Sequence, residues 1–146
     1  MKVRSEFLAH LIGHNLRRSY FISSQIFSEE FAELRITPVQ IAILEAISLG
    51  SDLSQKEIAA IAGSSPQVVV PLIKKLEDRG FVERIRSKTD RRFHHLILTE
   101  AGQVIHSKIT SKLPEFDEHL LHAFSPEEKE TLLKLLLKII DSQVEE

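Results

Sequence analysis

The sequence predicts a mainly α chain with a small β-hairpin, and three features carry that expectation. Several helix starts are spelled out by Ser or Thr followed at helix-start spacing by Pro and by Glu or Gln. At Gly80 a helical apolar rhythm stops and alternation begins. A cationic stretch then separates two β-prone runs.

Taken in chain order, a long helix is expected over residues 6–34. Thr37-Pro38-Val39-Gln40 starts the next, with Ile41, Ile43, Leu44 and Ile47 as its apolar face. Ser54-Gln55-Lys56-Glu57 is a capping box opening a short helix through Ala62 that stops at Gly63. Ser64-Ser65-Pro66-Gln67 starts a helix whose later half buries Leu72, Ile73 and Leu76 and leaves Lys74, Lys75, Glu77, Asp78 and Arg79 to solvent. Phe81, Val82 and Ile85 open a strand, and residues 93–98 form a second β-prone run. The intervening Ser87-Lys88-Thr89-Asp90-Arg91-Arg92 is too long for a two-residue turn and should project as a wing. A long helix follows over residues 99–123, and Ser125-Pro126-Glu127-Glu128 begins the last, which is apolar on more than one stripe.

The chain has 146 residues, enough for one domain or a compact domain with an oligomerisation arm. No apolar run reaches membrane-spanning length, and no secretory leader is evident at the start, so a soluble cytoplasmic protein is expected. With no cysteine, disulfides and thiolate-held metals are excluded. The net charge of -2 argues against indiscriminate coating of nucleic acid. Between Lys74 and His95, however, eight basic residues face four acidic ones. A charge run in a hairpin is by default a solvated loop, but here it follows two short helices joined at Gly63-Ser64. That order is a winged helix-turn-helix, which presents its second helix to the DNA major groove.

The runs ITPVQIAILEAI, SQKEIAAIAG and LIKKLEDRGFVERIRSKTDRRFHHLILTEAG resemble the MarR family of bacterial transcription regulators, most densely over residues 76–102. The resemblance spans the chain as a single domain. It implies a DNA-binding lobe over residues 37–98 and N- and C-terminal dimerisation helices over 5–34 and 99–146. It also implies an obligate homodimer on a pseudo-palindromic double-stranded DNA operator, with repression more expected than activation. The chain from Leu113 onward, with nine acidic and three basic residues, should face away from DNA.

Within that frame the helix around residues 67–75 would read the major groove, Gln67 addressing adenine and Val68 or Val69 a thymine methyl. Ser54, Gln55, Ser64, Ser65, Lys74 and Lys75 suit phosphates, as do Arg84 and Arg86 on one face of the first strand and the wing cations Lys88 and Arg91. Asp90-Arg91-Arg92 resembles the family's D-x-R element, so Arg92 would enter the minor groove with Asp90 holding its guanidinium; alternatively the two merely pair on the loop. Val70-Pro71 stands where relatives commonly carry Thr-Arg. Pro71 lacks the N–H that would bond the Gln67 carbonyl, a loss of about 3 kcal/mol in a straight helix, so a kink or a delayed helix start is expected.

The family's ligands are often aromatic acids or other small amphipathic molecules, and His14, Arg17, Arg18 and Tyr20 on the first helix are candidates to bind one as effector. The bland reading is that they form a solvated or interface face. His10 with His14, at i and i+4, and His119 with His122 offer the start of a metal site, which makes a zinc-responsive regulator the nearest alternative; no further ligand completes either site in sequence, and no cofactor is expected. No nucleophile elbow, Gly-rich phosphate loop or His-Glu metal motif points to an enzyme. A winged-helix protein-interaction module would lack the cationic wing.

Overall fold

In the computed structural model, residues 5–50, 52–88, 90 and 94–143 are described. The expected first helix is divided into α1 (Glu6–Ala9), α2 (Ile12–Glu30) and a 3-10 turn at Ala32–Leu34. His10 caps α1 and Leu11 is extended before α2 begins. The Asn15 amide donates to the Ala9 and Leu11 carbonyls at 2.8 and 3.0 Å, holding together the backbone at the break. At the far end, Arg35 adopts a left-handed φ of 47° after the 3-10 turn.

Next come α3 (Pro38–Leu49), α4 (Gln55–Ile61), α5 (Pro66–Asp78), β1 (Val82–Arg86), β2 (His94–Leu98), α6 (Glu100–Leu120) and α7 (Pro126–Asp141). The helix starts read from sequence at Thr37, Ser54 and Ser125 all form, each closed by a capping box. Gly63, at φ 61°, lets the chain reverse between α4 and α5, and the Ser64 N–H closes that turn on the Ala59 carbonyl at 3.0 Å. Gly80, at φ 76°, does the same after α5, where Phe81 N–H reaches the Leu76 carbonyl at 3.0 Å. The strands are antiparallel, with Val82 opposite Leu98 and Arg86 opposite His94.

Ile43, Leu44, Ile58, Val69, Ile73 and Leu76 join the three helices α3 to α5, and Val82 and Leu96 seal the hairpin onto them. A second part of the same core lies between the end of α2 and α6. There Phe27 stacks on Phe31 at 4.3 Å and Phe116 meets both edge-on.

The wing is tied to α6 at one tight junction. The Thr99 hydroxyl donates to the Gly80 carbonyl at 2.6 Å and accepts from the Gly102 N–H at 3.0 Å, while its own N–H donates to the Phe81 carbonyl at 3.1 Å. Gly102 allows α6 to pass so close that a Cβ there would sit 2.0 Å from the Phe81 oxygen. The densest stretch of the family-like sequence is thus the stretch that builds this corner.

α5 runs from Pro66 to Asp78 through Pro71, so the helix start is not delayed. Pro66 stands at the first helical position, where no backbone N–H is needed, and Val69, Ile73 and Leu76 anchor the helix on both sides of Pro71. Packing holds the helical path despite the missing backbone bond.

Candidate nucleic-acid interface

The chain is exposed continuously from Ser65 to Val68, across the start of α5. Ser65 caps it without a side-chain hydrogen bond, so its hydroxyl is not committed to the helix. Gln67 and Val68 are exposed, Val68 to 47%. Val69 is fully buried against the core, which corrects its assignment as a thymine contact: a residue one position on has turned about 100° round the helix. Ser64 lies half-buried in the turn.

Several expected phosphate contacts already hold partners. The Ser54 hydroxyl accepts from the Glu57 N–H at 3.2 Å, and both its hydroxyl and its N–H donate to the Glu57 carboxylate at 2.7 Å. Those bonds from Ser54, the hydroxyl first, hold Glu57 below its ordinary carboxylate pKa. Lys74 pairs with Asp78 at 2.6 Å, and this contact raises the lysine above its usual range. Lys75 is exposed on the flank of α5 that looks toward Arg35 and the start of α3.

Arg84, with 39% of its side chain exposed, already holds a partner. It shares the strand face of buried Val82, and its Nε donates to Glu77 at 2.8 Å. Arg79, counted with the solvent-facing cations, is also recruited: it donates to the carbonyls of Arg35 and Leu34 at 2.6 and 2.8 Å and lies over the Phe81 ring. Neither engagement follows a helix or strand repeat: Arg79 and Leu34 are far apart in sequence, and Arg84 and Glu77 lie on different elements. Arg86 and Lys88 are exposed on the wing. Asp90 donates its N–H to the buried Ser87 hydroxyl at 3.2 Å. Arg91 and Arg92, including the expected Asp90–Arg92 support, lie outside the described residues.

Within the N-terminal helices, His14, Arg17 and Arg18 line an open concavity of about 600 Å³ with Leu8, Asn15 and Phe21, all from α1 and α2. Tyr20 is 66% exposed and is not part of that lining. The expected His10/His14 face is corrected: the helix breaks between them, with His10 on the cap of α1 and His14 inside α2. His119 is hydrogen-bonded to Glu30, and His122 contacts the His119 carbonyl. Among the described residues no three His, Asp or Glu side chains gather as a metal site.

A helix-turn-helix with an accessible first turn on its second helix, followed by a cationic hairpin, defines a winged-helix DNA-binding protein. Residues 36–92 match the MarR family. The HTH-type transcriptional regulator BilQ of Clostridium symbiosum is 30% identical over 132 residues, covering 85% of this chain and 92% of that protein. The chain belongs to the MarR family of transcription regulators. Its fold superposes on the transcriptional repressor CouR bound to a 23-mer DNA duplex, with TM-score 0.86, 26% identity, and coverage of 96% of this chain and 99% of CouR. It also superposes on Bordetella bronchiseptica BpsR, whose DNA binding is regulated by 6-hydroxynicotinic acid; there the TM-score is 0.85, identity 22%, and coverage 95% and 99%.

Proposed function

We propose that this regulator is a cytoplasmic homodimeric repressor that binds a pseudo-palindromic operator and is released by a small amphipathic acid. The observation that carries the DNA reading is the exposed first turn of α5, where Ser65, Gln67 and Val68 project from a helix whose opposite face is locked in the core. Gln67 would address adenine through its amide and Val68 a thymine methyl. Ser54, Gln55, Ser64, Lys74, Lys75, Arg86, Lys88 and Arg91 lie on or beside this surface in sequence and suit the phosphate backbone, with Arg92 and Asp90 as the minor-groove element. Some of these contacts would require a partner to be exchanged, as at Lys74, where an exposed pair with Asp78 is readily given up.

Dimerisation is supported by apolar side chains left uncovered in one chain. Ile12, Tyr20 and Phe21 of the N-terminal helices and Leu133, Leu135 and Ile140 of α7 are each more than half exposed, and α7 buries no residue. A carboxylate effector is supported by His14, Arg17 and Arg18 meeting at the α1–α2 concavity. CouR, a repressor, and BpsR, regulated by an aromatic acid, provide the precedent for both roles.

The test is fluorescence anisotropy with DNA upstream of the protein's own coding sequence over a salt series. Tight binding that weakens steeply with salt, exceeds binding to random duplex, and is relieved by an aromatic carboxylate fits the proposal. Equal affinity for both duplexes, or indifference to a broad panel of acids at millimolar concentration, would remove the corresponding part of it.

A further inference from the structure

The arginine that the wing strand turns toward the helices meets both helices of the helix-turn-helix at once. Arg84 Nε donates to Glu77 Oε1 at 2.8 Å, and Glu77 retains only 17% of its side-chain exposure. With its carbonyl oxygen facing the guanidinium, as the neighbouring donors require, the Gln55 amide accepts from both terminal nitrogens of Arg84 at 3.2 and 3.3 Å. Gln55 opens α4, Glu77 lies near the end of α5, and Arg84 is the middle residue of β1. One guanidinium therefore joins three elements, from a strand position directly opposite buried Leu96.

We propose that Arg84 is a positioning residue for DNA recognition: bridged to Glu77 and Gln55, it fixes the angle between the wing and the recognition helix and does not itself neutralise a phosphate. This rests on the reading of α5 and the hairpin as joint DNA contacts. A planar, multiply donating guanidinium suits the task, because it fixes direction as well as distance, which a lysine would not. Releasing Arg84 to a phosphate would strand a largely buried carboxylate without its cation, so the pair is the state the fold favours. DNA docking that uses two grooves depends on that angle, since a misaligned wing forfeits either its own contacts or those of Gln67 and Val68.

The experiment compares full-length wild type, Glu77→Gln, Arg84→Glu and the exchange Glu77→Arg with Arg84→Glu, each titrated with a duplex selected from a random library and with random duplex over a salt series. The ratio of the two affinities does not depend on the fraction of folded protein. For Glu77→Gln the ratio should fall about fivefold with the salt slope unchanged, and the exchange should recover most of what Arg84→Glu loses, because Gln55 can turn its amide to donate. If Arg84 were a phosphate ligand, freeing it in Glu77→Gln would steepen the slope by about 0.9 and the exchange would bind no better than Arg84→Glu. Either result, or an unchanged ratio in Glu77→Gln, overturns the positioning role while leaving DNA recognition intact. A wild type that prefers no duplex would overturn the underlying reading, and the inference with it.

Discussion

Gln67 stands exposed on α5 two residues from Val69, whose side chain has no accessible surface, and that contrast sets which positions of the helix are available to DNA. If Gln67 reads adenine, Gln67→Ala lowers operator affinity by about 1–3 kcal/mol and barely changes the salt slope, since no phosphate contact is lost. Competition titrations against single-base operator variants would register this as relaxed preference at one position. Glu57 gives a pH prediction at the same scale. Its folded pKa lies below the ordinary 4.5, so its contribution to stability is present above that value and is lost as pH falls through the lower folded value. Thermal melts between neutral and acidic pH should show this loss in wild type and less of it in Ser54→Ala, which at neutral pH should be about 1 kcal/mol less stable. Charged residues were the least legible from sequence. Arg79 and Arg84 read as members of a basic patch, and only the tertiary fold brings the Leu34 carbonyl and Glu77 within their reach.

Helix starts were readable because a cap is local: Thr37 with Gln40, Ser54 with Glu57 and Ser125 with Glu128 each form within four residues. The break between α1 and α2 was not, because apolar residues recur through Leu8, Leu11, Ile12 and Leu16 whether or not the backbone continues. The wing-to-α6 corner explains why glycine is needed at 102. Gly102→Ala drives a methyl against the Phe81 carbonyl and should destabilise by about 1–3 kcal/mol, measured as a lower denaturation midpoint with unchanged m-value. Pro71 makes the opposite prediction. Replacing it with Ala restores an N–H for the Gln67 carbonyl within a helix that already follows the helical path. After allowance for the greater freedom of the unfolded chain, stability should rise by about 2 kcal/mol in the same measurement.

At the scale of the molecule, the chain divides its surfaces. The α3–α5 lobe and hairpin bury their apolar faces against one another, whereas α1, the start of α2 and all of α7 leave theirs open. None of the described helices is long and apolar enough to cross a membrane. In the homodimer proposed above, a second copy of the chain would cover the open apolar surface. Placing charges at Leu133 and Ile140, each 58% exposed, should therefore shift sedimentation from dimer toward monomer and weaken operator binding, without unfolding the lobe. The most direct test of this arrangement is selection of bound sequences from a random duplex library by the wild-type protein. A two-fold symmetric dimer should select an inverted repeat whose half-sites are centred about 10 bp apart, one DNA turn. Enrichment of a single unrepeated site, or of no sequence at all, would contradict it.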